Sequence, residues 1–295
     1  MIFYKKKIIM KKLIYIALIL LTFNSYSYQE EKEEIINNPI YPQESEKLIY
    51  KNILFQEKKF NFFTYKPHIL GDKDNLFVIF HGGKNNIKDF LKNTGLHNKI
   101  ISDNQHLVAF NSTDGVSWFD KGYNLDKDFV SYVLSKYLSR NYKKVYVIGY
   151  SEGSSFFNSL LCDNPKISNN ITSYWNINGY FPKDCTINKN IDYNFVFGTS
   201  SNYFKPDNFL NYEDHTDKIL KENNCVKIKE ENYNGRENNK VYMKKYLLNC
   251  KGFSNINIYK VYNLENNFII DNYLDYDDFQ GNTLENYFFY EDIIK

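Results

Sequence analysis

Lys144-Val145-Tyr146-Val147-Ile148-Gly149-Tyr150-Ser151-Glu152-Gly153-Ser154 is the stretch on which the reading of this chain turns. Its β-branched and aromatic run reads as a buried strand. Gly-x-Ser-x-Gly cuts the run short, and an apolar helical segment, Phe156 to Leu161, follows. In that strand–turn–helix context Gly149 and Gly153 leave room for Ser151 to sit on a strained elbow with its hydroxyl exposed. The alternative is a chance Gly-x-Ser-x-Gly, common in proteins generally, which the strand before it and the helix after it make the minority reading.

Outward from the elbow, Leu76–Phe80 and His106–Phe110 read as buried strands, and Ile49–Phe55 and Phe60–Tyr65 as short ones. Lys88 to Ile101 is expected as a helix. Leu125 to Leu138 places Phe129, Val130, Val133, Leu134, Tyr137 and Leu138 at the spacing of a helix facing a core. Ile171–Ile177, Tyr193–Phe197 and Ile256–Tyr262 are expected as strands, and Asn211–Lys221 and Thr283–Ile294 as helices. A hairpin is expected between Cys225 and Cys250, around the polar loop Asn232–Asn239. Strands alternating with helices predict a mostly parallel central sheet with helices on both faces, in a single α/β domain over 49–295.

Composition narrows the function classes. The 295 residues carry a net charge of +2, but the first 27 hold five lysines and no acid, leaving the remainder at −3. That balance gives no basic surplus for nucleic acid. Lys11-Lys12, the apolar run Leu13 to Phe23 and Ser25-Tyr26-Ser27 have the layout of a signal peptide over 1–27, with Met10 as an alternative start. The apolar run falls short of the roughly 20 residues that span a bilayer, so no membrane span is expected after cleavage. Residues 28–48 are acidic and Pro-interrupted, and a loosely held arm is expected there. Export to the periplasm or outside the cell fits Cys162, Cys185, Cys225 and Cys250, an even set for an oxidising compartment. Of three possible pairings, Cys162–Cys185 and Cys225–Cys250 close the shortest loops. No Cys-x-x-Cys or His-x-x-x-His spacing points to a metal, and no cofactor motif is present. The 27 Tyr and 24 Phe suit either a stacking surface or ordinary core filling, and Trp118 and Trp175 are candidates to line a pocket.

Beside the elbow, His81-Gly82-Gly83 ends the strand Leu76–Phe80. In α/β-hydrolases the oxyanion hole joins the N–H after the nucleophile to an N–H from such a loop. Here these are Glu152 and Gly83, while His81 reads as structural. From Leu76 to Phe197 the chain resembles the secreted polyhydroxybutyrate-depolymerase-like esterases, a group that includes feruloyl and acetylxylan esterases. The likeness is carried by His81-Gly82-Gly83, Trp118, Asp126-x-x-Phe129-Val130, the elbow, Cys162-Asp163-x-Pro165, and Cys225 with Cys250. It implies an α/β-hydrolase fold and a small-molecule ester or other ligand in the cleft; it says nothing of oligomeric state.

The departures from that family concern the proton relay. Its triad acid lies in a His-Gly-Thr-x-Asp turn, which here reads Phe197-Gly198-Thr199-Ser200-Ser201, with Ser201 at the acid position. Its catalytic His follows the last strand, where Asn266 stands in this chain. The five histidines are His68, His81, His97, His106 and His215, so none follows position 215. The usual Gly-Gly closing the elbow is Gly153-Ser154. A serine hydroxyl needs a base to take its proton, and losing that base from a serine protease costs about 10⁶ in turnover. Weak or no catalysis follows. The rescues open to the chain are His215 as a relocated base, Asp207 or Asp184 as acid, and Glu152 or Glu265 as base.

Overall fold

The computed structural model describes residues 31–34, 48–67, 74–185, 188–198, 209–210, 212–234, 241–253 and 255–262. Central strands β4 (Leu76–Phe80), β5 (His106–Phe110), β6 (Val145–Tyr150), β7 (Ser173–Ile177) and β9 (Asp192–Gly198) are apolar on both sides because both sheet faces are covered. On β4, Leu76, Val78 and Phe80 enter one core cluster while Phe77 and Ile79 enter the other. The first face packs against α3 (Tyr123–Leu138) and α4 (Glu152–Asp163), through Phe129, Val133, Phe156, Phe157 and Leu160. The second packs against α1 (Ile87–Thr94) and α2 (Leu96–Ser102), through Ile87, Phe90, Leu91 and Ile100.

The sheet has 11 strands in the order β1-β2-β3-β5-β4-β6-β7-β9-β13-β12-β11. Its centre, β5 through β13 (Ile256–Val261), is parallel. The flanks are antiparallel: β1 (Glu31–Glu34), β2 (Ile49–Phe55) and β3 (Lys58–Tyr65) on one side, β12 (Val241–Asn249) and β11 (Val226–Asn234) on the other. After β4 the chain moves to one side to form β5, then crosses to the other side of β4 to form β6. That reversal makes the carboxyl ends of β4 and β6 a topological switch point, the kind of place where open α/β sheets bind ligands.

Three expectations need correction. The helix expected over Lys88–Ile101 is two helices, because Gly95 takes φ 64° and ends α1 with its N–H on Leu91 O. The expected loose arm contributes an edge strand, β1, paired with β2. Trp118 and Trp175 line no pocket: they are 0% and 1% exposed, and Trp118 packs against Phe80 and Phe156. The aromatic excess fills the core, as in the Phe60–Phe129 stack at 4.1 Å. The closing helix expected at Thr283–Ile294 lies outside the described residues.

Both disulfides pair neighbours in sequence order. Cys162–Cys185 ties the end of α4, just before the short α5 (Pro165–Ser168), to the segment after β8 (Phe181–Pro182), and Cys225–Cys250 closes the base of the β11–β12 hairpin. Disulfides fit an oxidising compartment. Among the described residues no helix is long and apolar enough to cross a membrane.

Candidate active site

Ser151 stands between β6 and α4 at φ 51° and ψ −117°. A non-glycine residue reaches such angles only where its surroundings hold it there. Its N–H donates to Ile177 O at 2.7 Å, and its carbonyl accepts from Ser155 N at 3.1 Å. The glycines on either side allow the close approach the turn needs. A Cβ on Gly149 would stand 2.7 Å from Ser154 Cα, and one on Gly153 would collide with the His81 carbonyl. Ser154, where the resembled family has glycine, is accommodated by Gly179, whose missing Cβ leaves space for the serine side chain. The Ser154 hydroxyl accepts from Ile177 N at 3.2 Å, so the replacement joins the turn to β7.

Strain marks this edge of the sheet. Lys84, Ser151 and Asn178 have φ of 60°, 51° and 54°, and they follow β4, β6 and β7, which are neighbours in the sheet. Asn178 had no signal in the sequence beyond the tolerance of asparagine for left-handed angles. Its N–H donates to Val196 O at 2.8 Å and its Oδ1 accepts from Gly198 N at 3.0 Å, joining the ends of β7 and β9. Its Nδ2 is buried without an acceptor.

Around Gly83 the loops are tied by side chains. His81 is fully buried, with Nδ1 2.7 Å from Gly82 O, to which it donates, and Nε2 accepting from Ser112 N at 3.3 Å. Burial pushes its pKa down to about 4, so the ring is neutral and structural, as expected from the sequence. Trp118 Nε1 donates to His81 O at 2.8 Å. Glu152 Oε2 accepts from Ser117 Oγ at 2.9 Å and Trp118 N at 3.2 Å, while the carboxylate covers Gly83 so closely that a Cβ there would collide with it. Ser151, Glu152 and Gly83 therefore meet at one place. The N–H of Glu152, in the first turn of α4, has no intrahelical acceptor.

Beyond Ser112 the wall is held by carboxylates. Asp126, 2% exposed on α3, accepts from Thr113 N at 2.8 Å and from the Thr113 hydroxyl. Burial raises its pKa to about 7 against the pull of those two bonds. Asp114 behaves oppositely: burial pushes it up, but the N–H groups of Ser117 and Val116 and the Ser112 hydroxyl outweigh that and hold it below the usual range.

No imidazole among the described side chains bonds Ser151. His97 lies on α2, its pKa lowered by burial against a bond to the Leu91 backbone. His106 opens β5 at the opposite edge of the sheet, 3.6 Å from Asp74. Ser201, Asn266, Asp207, Glu265 and His68 lie outside the described residues. His215 falls in the first turn of α6 (Tyr212–Glu222), with its side chain outside them too. Asp184 is exposed. Glu152 uses its carboxylate on Ser117 and Trp118. Among the described residues no group of His, Cys, Asp and Glu is placed to hold a metal.

No protein-family model matches the chain, and no curated protein does. Among solved structures, acetyl xylan esterase from Aspergillus awamori superposes with a TM-score of 0.50 at 10% identity, over 75% of this chain and 94% of that one. Est1E from Butyrivibrio proteoclasticus gives 0.48 at 10% identity, over 83% and 99%. LpqC, a poly(3-hydroxybutyrate) depolymerase from Bordetella parapertussis, gives 0.40 at 17% identity, over 51% and 65%. The first of these overlays, with the strand order and the strained turn after β6, carries one conclusion: the chain has the α/β-hydrolase fold.

Proposed function

We propose that this chain is an exported relative of the carboxylic-ester hydrolases, of the polyhydroxybutyrate-depolymerase and feruloyl-esterase type. It holds a small ester or similar ligand over Ser151 and turns it over weakly or not at all. The observation that carries this reading is Ser151 itself. Its elbow is strained and packed as acyl transfer requires, yet each described imidazole is engaged elsewhere. In this reading the Glu152 and Gly83 N–H groups receive the oxyanion, and Ser201 and Asn266 replace the acid and the base. Asn266 cannot carry a proton from nucleophile to leaving group, so attack by the hydroxyl lacks its acceptor. The two disulfides and the predicted signal peptide support export.

A fluorophosphonate probe tests the reading. Wild type is expected to label slowly, Ser151→Ala not at all, and short p-nitrophenyl esters to be hydrolysed near the uncatalysed rate. Turnover typical of an esterase, about 10 per second, would overturn it.

A second reading, an active esterase with His215 as relocated base, has one observation in its favour. Strand β10 (Phe209–Leu210), which precedes α6, pairs with β8, the short strand that follows β7 in the chain. Rapid labelling abolished by His215→Ala would select this reading; labelling unchanged by that substitution would remove it.

A further inference from the structure

Glu152 sits in an odd place for a carboxylate. Its own N–H is one of the two donors proposed for the oxyanion, and its side chain folds back over Gly83, the other. The charge is held there by Ser117 Oγ and Trp118 N. Among the described residues no Lys, Arg or His forms an ion pair with it. Both side-chain and backbone donors to the carboxylate are neutral, so beside whatever binds between residues 83 and 152 only the N-terminal dipole of α4 offsets it. Two like charges both touching residue 83 repel, and a partly buried site screens that repulsion poorly.

We infer that the Glu152 carboxylate is a charge-selecting group that disfavours negative charge at the oxyanion position, so the cleft takes neutral or cationic ligands and rejects anionic ones. The inference rests on the reading of Ser151 as the nucleophile position and adds a second reason for slow turnover. Even with a base supplied, the tetrahedral oxyanion would form beside a fixed carboxylate. Neutral Gln in its place keeps an acceptor oxygen for Ser117 and Trp118 and removes the charge, and the neutral ester controls for the amide donors it adds.

The test separates charge from shape. In a Ser151→Ala background, phenylphosphonate and its neutral dimethyl ester are titrated by calorimetry into protein with and without Glu152→Gln, with thermal melts to show that both fold. The expected result is about tenfold tighter binding of phenylphosphonate in the Gln variant, with the neutral ester unchanged. Phenylphosphonate affinity unchanged by Glu152→Gln overturns the inference. So does equal tightening of both ligands, which would mean altered shape, or no binding of phenylphosphonate to either protein. With Ser151 intact, Glu152→Gln should also speed fluorophosphonate labelling about tenfold. If the phosphonate result holds but neither protein labels, the charge effect stands and the nucleophile reading of Ser151 falls.

Discussion

The carboxyl edge of the sheet is held in two ways. At β4 and β6 the loops are locked by side chains that reach across the chain: Trp118 to His81 O, Ser112 N to the His81 ring, and Ser117 and Trp118 to Glu152. At β7 and β9 a single asparagine, Asn178, bridges the two strand ends and leaves one of its own donors buried and unpaired. A few residues on, Cys162–Cys185 anchors the segment after β8 covalently. The first half carries the residues proposed to receive an oxyanion, Gly83 and Glu152; the second leads into the turn where the resembled family has its acid. The packing around the elbow is thus extensive on one side and rests on few side chains on the other.

Breaking the first half should cost most. Gly153→Ala drives a Cβ into the His81 carbonyl, a backbone atom with no room to yield. A loss of about 3 kcal/mol or more is expected in urea titration. A near-neutral result would mean the elbow and the His81 loop are less firmly joined than their packing implies. Removing Cys162–Cys185 by a double serine substitution should cost about 3 kcal/mol, from the loop of 23 residues it closes. The loss should appear equally in reducing agent for wild type with the other disulfide replaced.

Trp118→Phe leaves His81 O without its donor and should cost about 2 kcal/mol. Asn178→Gly loses the bond from Gly198 N but relieves a left-handed angle and removes an unpaired amide, so less than about 1 kcal/mol is expected. Equal costs for those two variants would erase the contrast between the halves.

The smallest effect is a slope. Asp126 has a folded pKa near 7 against about 3.8 for a free carboxyl, so the native state binds the extra proton between those values. Its contribution to stability therefore falls as pH rises from about 4 to 7 and stays low above that. Asp126→Asn removes the slope. The melting temperature of the variant minus that of wild type should increase from pH 4 to pH 8, and a flat difference would show that the carboxyl is not held in its neutral form.

How far the sequence alone reaches depends on how local each feature is. Leu76–Phe80 and His106–Phe110 were readable to the residue because a strand buried on both faces is an unbroken apolar run. Ser151, Gly83 and Glu152 are candidates picked out by short motifs, and the structure brings the three together. The helix break at Gly95 was hidden because the apolar spacing continues across it. The grip of Ser117 and Trp118 on Glu152 joins residues 35 and 34 apart, and no periodicity announces such a contact. The room that Gly179 leaves for the Ser154 side chain is equally invisible, because it takes a third dimension to see.

Ser112 and Thr113, adjacent in the chain, are fastened by chemically unlike bolts, an uncharged ring on one and a carboxyl on the other. The ring accepts from Ser112 only while it lacks its second proton, and burial keeps it so down to about pH 4. The unfolded chain takes up that proton from about 6.5 downward, so souring surroundings erode the margin of stability well before they alter the shape. The segment after β5 thus keeps its bond to the His81 ring through moderate acidity and loses it once the ring takes its second proton.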